Sequence, residues 1–360
     1  MTTPKSDPQP AAAAFLATGI DWRHGLEPAL AELDRLRPDA LILFATYHHA
    51  GQAAEMLRTI RQSTGAAVVV GCTGVGVVGD GREIERSPAV SILGLRLPGA
   101  TLSTVRVTGG MADADADAAA WQAAIGVDPD AVNGWLLFLD PFTVDTESTL
   151  EGFHKAYPRA PVVGGMASPG PHDRRTWIFA DGEAFEDGGV ALAIGGAYNL
   201  VPMVSQGCEP LGEPWTITGA QSHWVESISS RPAVQVLVET LSALPEDERL
   251  RAQRNLLVGL AADEYRHDFL RGDFLIRNVV GLDQNSGSLG IGATPRVGQT
   301  IQFQQRDAAT ADLDLTLMLE HVKARLDLRR PIAGILCTCN GRGAGLFGTS
   351  HHDARAVTRT

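Results

Sequence analysis

A chain of 360 residues with 44% apolar and 20% charged side chains is long enough for two ordinary domains and apolar enough to give each a core, which excludes disorder as its default state. Thirty Lys and Arg stand against 42 Asp and Glu, and the net charge of -12 argues against a phosphate backbone or an anionic lipid surface as partner. The four cysteines, Cys72, Cys208, Cys337 and Cys339, lack the dense, even spacing of a secreted disulfide scaffold and fit a reducing, cytoplasmic compartment.

Met1 to Pro10 is proline-rich, and the apolar stretch Ala11 to Ala17 is too short and too poorly flanked for a signal peptide, so residues 1–30 read as a flexible start and a first strand. LILFAT (41–46) is a buried-strand pattern, followed by a helical stretch (49–62) and the strand and turn AAVVVGCTG (66–74). WLLFLD (135–140), a helical stretch (145–157) and APVVGGMAS (160–168) repeat that order. Trp135 lies 94 residues after Leu41, and Gly165 lies 94 after Gly71, so the register reads as constant through both copies. Each copy continues to a further apolar strand, SILGLRL (91–97) and VALAIGG (190–196). Strand, helix, strand is the parallel crossover unit, whose strands are buried on both faces. The fold class is therefore α/β with mixed α+β features, built from repeated strand-helix-strand units in two similar halves.

Further strands are expected at 102–107, 174–180, 199–207 and 214–219, and ADADADAAA (112–120) opens a surface helix running to 124. A helix at 232–241, strands at 256–260, 273–281 and 299–304, and a long amphipathic helix at 311–325 follow. Glycines, Tyr198, Asn199 and Pro202 interrupt the apolar region 188–204, so no membrane-spanning helix is expected. AGILCTCNG (333–341) resembles the opening strand of the repeat and 351–357 would start its helix, so the C-terminal unit reads as truncated at Thr360. The domains are drawn at 31–220 and 221–360, where Pro210, Pro214 and Gly219 accumulate.

Two G-x-G-x-x-G matches occur. Gly74, Gly76 and Gly79 are followed by DGREIERSP, a turn and strand, where a dinucleotide site needs a helix N-terminus. Gly343, Gly345 and Gly348 leave no room for the strand and acidic ribose partner, so no nucleotide or other cofactor is expected. In CTCNGRGAGLFG (337–348), the glycines free backbone N–H groups to approach a ligand, Asn340 is a directional amide, and the Arg342 fork suits a carboxylate. The competing reading is a tight strand-to-helix connection with Arg342 solvated. A cysteine nucleophile could be Cys339, with His351 and His352 nearby, or Cys72, on a glycine turn; both cysteines fit equally as small buried hydrophobes. His48 with His49, His351 with His352 and Asp353, and Cys337 with Cys339 lack the spacing that turns two ligands onto one metal. Asp181 with Glu183 and Asp263 with Glu264 read as solvated faces.

The stretch 274–320 and the segment 334–348 resemble the FIST C-terminal domain, through Arg277 and Asn278, Gly298 with Phe303, the run Arg306, Asp307 and Ala308, and the loop Cys339 to Gly348. VVVGCTGVG (68–76) and PVVGGMASPG (161–170) are similar to the FIST N-terminal domain, and the likeness covers about 35 to 355. Members of the family carry a further Gly- and Phe-rich strand region beyond the C-N-G-R-G loop, which this sequence lacks. The resemblance implies a signal-transduction input protein that binds a small ligand, an amino acid or other small carboxylate, and passes the signal to a separate protein. Gly71, Cys72, Thr73, Gly165, Ser168, Arg277, Asn278, Cys339, Asn340, Gly341, Arg342 and Gly343 are the candidate ligand contacts, expected around one hollow with Arg342 on its wall. Turns at the carboxyl ends of the strands are where open α/β sheets bind ligands. An enzyme using Cys339 or Cys72, or a protein-interaction scaffold, are the alternatives.

Overall fold

The computed structural model describes residues 9–112, 115–262, 264, 269, 273–327 and 329–359. By contact the chain forms two compact units, Met1–Pro202 with Leu326–Thr360, and Met203–Arg325. The division drawn from the sequence at 220/221 falls at the end of a strand, whereas the contact division leaves the first unit at Pro202 and returns to it at Leu326.

The first unit is a duplication. One copy runs β1 (Ala11–Thr18), α1 (Trp22–Leu36), β2 (Ala40–Thr46), α2 (Ala53–Thr64), β3 (Val68–Gly74), the hairpin β4 (Gly76–Gly79) and β5 (Arg82–Glu85), then β6 (Ala89–Arg96). The other runs β7 (Ala100–Val107), α3 (Ala118–Ile125), β8 (Gly134–Leu139), α4 (Thr146–Ala156), β9 (Val162–Met166), the hairpin β10 (Ile178–Ala180) and β11 (Glu183–Phe185), then β12 (Gly189–Gly196). Their sheets have matching orders, β1-β6-β2-β3 and β7-β12-β8-β9, and β10-β11 extends the first beyond β3. In each, the crossover joins a parallel pair, β2 with β3 and β8 with β9.

Every residue of β8, and all but Phe44 of β2, is buried, because each strand has apolar cover on both sides. Leu41, Leu43 and Ala45 pack under α1 and α2 with Leu26, Leu33, Met56 and Leu57. Trp135, Leu137 and Leu139 pack under α3 and α4 with Trp121 and Phe153. The opposite faces meet each other in one core: Ile42, Val70 and Cys72 from the first sheet, Leu136, Phe138 and Leu192 from the second. Phe44 and Phe138 meet edge to face, 5.2 Å apart and 84° inclined. Each fully buried Leu, Ile or Phe contributes about 1.5–3 kcal/mol relative to exposure. Local chemistry agrees with the packing: Asp117 and Asp145 cap α3 and α4 through their side-chain oxygens, and Gly65 and Gly126 close α2 and α3 in the left-handed conformation. Residues 1–30 are more than a flexible start and a strand, because helix α1 begins at Trp22 and, despite Pro28, holds through Trp22, Leu26, Ala29 and Leu33 on its buried side.

The register between copies is not constant. Leu43 pairs with Gly71 and Leu137 with Gly164, so the step from first strand to second is 71 − 43 = 28 residues in one copy and 164 − 137 = 27 in the other. The counterpart of Gly71 is thus Gly164, not Gly165. Both have φ 153°, and a Cβ would stand 1.7 Å from the Leu43 carbonyl oxygen at Gly71 and 1.8 Å from that of Leu137 at Gly164. Only glycine lets the parallel strands approach this closely.

Two expected strands are absent as ladders. Residues 199–207 have no strand partner, and the strand begins at Glu209. Residues 333–339 are also unladdered among the described residues, yet Ala333 and Ile335 pack on the shared core and Cys337 lies against β9, the two-residue alternation of a strand. The helix expected over 112–124 begins at Ala118, with 113 and 114 outside the described residues. Two short helices, α8 (Ala344–Phe347) and α9 (His352–Arg359), end the unit.

The second unit contains β13 (Glu209–Gln221), β14 (Trp224–Ile228), β15 (Arg231–Pro232), α5 (Ala233–Ser242), α6 (Glu246–Arg254), β16 (Leu256–Ala261), β17 (Phe274–Asp283), β18 (Ser288–Ile291), β19 (Thr300–Gln305) and most of α7 (Ala308–Leu326). Its sheet runs β13-β19-β16-β17-β18-β14-β15, and β13 also pairs with β14, which closes six antiparallel strands into a ring. Ile217, Val258, Leu289 and Phe303 fill the core together with Val236 and Leu237 of α5. Asp307 accepts from Thr310 N and so caps α7. Among the described residues, no helix is long and apolar enough to cross a membrane.

Gly71→Ala and Gly164→Ala each force a methyl group into a backbone carbonyl and should cost about 2–4 kcal/mol, read as a lowered urea midpoint. Gly165→Ala, one residue along, should cost much less.

Candidate functional site

The carboxyl ends of the inner strands carry a buried polar framework. In the first copy Thr46 Oγ1 accepts from Ala89 N at 3.0 Å, and in the second Thr143 Oγ1 accepts from Gly188 N at 2.8 Å, so a threonine hydroxyl anchors the entry to the last strand in both. Asp140, at the end of β8, accepts from Thr143 Oγ1 at 2.5 Å, Thr176 Oγ1 at 2.8 Å and Phe142 N at 3.3 Å. Thr73, at the end of β3, accepts from Trp177 N through its hydroxyl at 3.0 Å, and Thr73 N donates to Trp177 O at 2.9 Å. The segment 176–177 is therefore clamped between the two sheets.

From Thr73 the network runs outward. Ser168 N donates to Thr73 O at 3.0 Å, and Asn340 Nδ2 donates to Ser168 Oγ at 3.1 Å. Three residues far apart in sequence thus meet: Thr73 is buried, Ser168 half-buried and Asn340 exposed. Beside them, a side chain on Gly165 would stand 3.5 Å from Cys337 Cβ and 3.7 Å from its sulfur. Cys72 faces the same core as Ala333 and Ile335. The exposed Gly341 donates its N–H to Cys339 Sγ at 3.4 Å.

Arg342 does not offer a solvated fork. Its guanidinium and the Asp353 carboxylate, with side chains 7% and 3% exposed, form a two-pronged pair at 2.5 and 2.9 Å. Phe347 lies under the guanidinium at 5.2 Å and stacks on His352 at 3.6 Å and 8°. Burial alone would raise the Asp353 carboxyl, but hydrogen bonds from Arg342 and His352 and their charge hold it below the usual carboxylate range. A bidentate pair this well buried satisfies its own charge. Arg342 consequently anchors the loop that presents Asn340.

The remaining candidates separate. Gly71 serves the close strand approach. Gly343, with φ 98°, lies where a Cβ would meet Glu85 Oε1 at 2.4 Å. Arg277 and Asn278 are on β17 of the second unit, where Arg277 donates to Ile276 O at 3.1 Å and Asn278 O accepts from Gly292 N at 2.9 Å. Burial pushes the Cys72 thiol up, and Cys337 adds to the shift. Cys337 is exposed as a residue, but its sulfur turns inward toward Gly165, and burial pushes it up to about 11. A nucleophilic thiol needs the opposite shift, so neither is activated. Among the described residues, no group of three or more His, Cys, Asp or Glu is placed to hold a metal ion.

Asp140 ends a strand at a turn that the repeat pattern places among the ligand-facing turns, whereas Thr176, Glu83, Glu85 and the pairing of Arg342 with Asp353 have no such mark in the sequence. For the two glutamates there is no local signal, since their partners lie more than 250 residues away. Asp353 lies 11 residues from Arg342 and was weighed only as a metal ligand.

His49 is 1% exposed, and neither ring nitrogen has a hydrogen-bond partner among the described residues. Burial, and then the neighbouring His48, lowers its basicity.

The FIST N domain matches residues 39–231 and the FIST C domain matches residues 233–360. An uncharacterised protein of Mycobacterium tuberculosis is 35% identical over 349 residues, 95% of this chain and 88% of its own length. An uncharacterised protein of Mycobacterium bovis is 35% identical over 329 residues, 91% of this chain and 82% of its own. Among solved structures, a cyanuric acid hydrolase from A. caulinodans aligns over 74% of this chain and 84% of its own at 15% identity, and its TM-score of 0.29 gives that likeness no weight. The fold and site define a mixed α/β protein whose first unit duplicates a strand-helix-strand element. The chain belongs to the FIST family, with an N-type and a C-type domain in tandem, and FIST domains are generally sensory, ligand-binding modules.

Removing one partner of the buried ion pair, by Asp353→Asn or Arg342→Met, should cost about 3–5 kcal/mol in urea unfolding, because the other is left buried and uncompensated.

Stability should also fall with acid in two steps. A histidine lowered by folding, such as His49, contributes stability above its ordinary 6.5 that is lost as pH drops below it; Asp353, also lowered, keeps its contribution until pH falls through 3.8. His49→Leu should flatten the first step in a series of melting curves and leave the second, with His48, lowered by burial too, supplying what remains of the first.

Proposed function

We propose that this protein is a cytoplasmic sensor whose ligand, an amino acid or other small carboxylate, is held where Thr73, Ser168 and Asn340 meet. The observation that carries this reading is the hydrogen-bonded run from Thr73 through Ser168 to Asn340, which ends at an exposed amide. Buried at one end and open at the other, it presents directional polar groups from a rigid base, as small-molecule sites require. Next to Asn340, the exposed Gly341 lets a ligand approach the backbone without meeting a Cβ. The positive charge of Arg342 is spent on Asp353, so recognition of a carboxylate at this place falls to neutral donors: the Asn340 amide, the Ser168 hydroxyl and backbone N–H groups. Such a site discriminates by shape and hydrogen bonding more than by charge. The sparse, uneven spacing of the four cysteines supports a reducing compartment, and a separate signalling protein would read the bound state.

A thermal-shift screen of the amino acids and short organic acids tests the reading. A ligand at about one hundred times its Kd adds about 2.7 kcal/mol of stability, a shift of several degrees. Ser168→Ala and Asn340→Ala should each abolish the shift while leaving the unliganded melting temperature within a degree or so, as surface changes do. A full screen without any shift, or a shift that survives both substitutions, overturns the site.

A further inference from the structure

We infer that the β4–β5 hairpin of the first copy sets the Asn340 loop for binding, with Glu83 and Glu85 as positioning residues; the binding half of this inference rests on the ligand reading above. The hairpin forms a two-stranded ladder of its own, and its strand β5 presents both carboxylates to the far end of the chain. Glu85 Oε1 accepts from Ala344 N at 2.8 Å, at the first residue of α8. Gly343 is glycine because that carboxylate occupies the place of a side chain.

Glu83 makes a reciprocal contact with α9. Its carboxylate, in a residue 9% exposed, accepts from Ala354 N at 2.8 Å, while its own N–H donates to Nδ1 of His351 at 2.9 Å. Local capping boxes exchange bonds in this way between the residue before a helix and the third residue inside it. Here Ala354 is the third residue of α9, His351 precedes the helix, and the carboxylate is supplied by a strand 271 positions earlier. The open N–H groups of a helix start need such acceptors, and a carboxylate there also meets the positive end of the helix. At the hairpin turn, a Cβ on Gly81 would lie 3.5 Å from Thr358 Oγ1, so the contact continues along α9.

The anchors interlock. Arg342 adjoins Gly343 and Asp353 adjoins Ala354, so the ion pair ties together from within the two points that Glu85 and Glu83 hold from outside. Asn340 is two residues before Arg342. With the following segment held at both ends, its amide has a fixed approach to Ser168; without those holds, ordering the loop would be charged against ligand affinity.

Hydrogen exchange and binding on the full chain separate this role from general stabilisation. Glu85→Ala, at an exposed position, is the primary variant and Glu83→Ala the second; Glu85→Gln keeps an acceptor oxygen. The probes are L-alanine, L-glutamate and acetate, followed by titration calorimetry. In Glu85→Ala, amides over 340–356 should lose protection while those of α1, α2 and the second unit keep theirs, the Kd of any probe that shifts the wild type should weaken about tenfold, and Glu85→Gln should recover most of both. Ser168→Ala should lose binding with protection intact. Unchanged protection in both alanine variants overturns the inference, and so does lost protection with an unchanged Kd. If no probe shifts the wild type, the ligand reading falls for these probes, and exchange alone decides whether the hairpin holds the loop.

Discussion

The shared apolar core between the two sheets of the first unit is the constraint on which the rest depends. A parallel strand pair joined by a crossover has no polar face, so β2 and β8 must be covered twice, once by helices and once by something else. The chain meets that need by turning the two copies toward one another, Ile42 and Val70 against Leu136 and Leu192. The carboxyl ends of β3 and β9 are then brought close enough for Ser168 N to reach Thr73 O. Residues 333–337 enter the same core through Ala333 and Ile335, which carries Asn340 to Ser168. The candidate site is therefore a consequence of how the core is closed.

Much of this was legible in the residues. Continuous apolar runs as short as LILFAT and WLLFLD fit doubly covered strands better than helices, and the matching order of elements marked the duplication. The constant spacing of 94 was the misleading part, because glycines adjoin at 164 and 165 and only the close approach to Leu137 distinguishes them. Residues 199–207, interrupted by Pro202, find no ladder partner, whereas α1 tolerates Pro28 because its buried face outweighs one missing hydrogen bond. Pattern reports which side chains want burial; ladder partners are decided by the rest of the chain.

For the site, the sequence marked Thr73, Ser168 and Asn340 through their glycine-bearing turns, and the structure joins them. It could not show that Arg342 is paired. A guanidinium in a glycine loop has the same local signature whether it faces a ligand or a carboxylate 11 residues on, and only folding α9 back against the loop decides between them. The same applies to Glu83 and Glu85, whose alternation along β5 reads as a solvated edge until the partner helices are in place.

The charge pattern bears on how the proposed sensor would signal. With Arg342 neutralised by Asp353 and Glu85 engaged at Ala344 N, ionic contacts next to Asn340 are devoted to holding the loop. A ligand that binds through neutral hydrogen bonds leaves those contacts intact, so it can report its presence only by making the loop and hairpin more rigid or by shifting them together. Glu83, fixed to His351 and Ala354 at once, makes the second course the natural one, because the hairpin cannot move without carrying the start of α9. Binding at Asn340 would then be felt at β5 and, through it, at β4, which lies against β6, β2 and β1 of the first sheet. Coupling of this kind requires a differential affinity between two arrangements of the loop. The hairpin is the element whose position both arrangements would have to share or exchange.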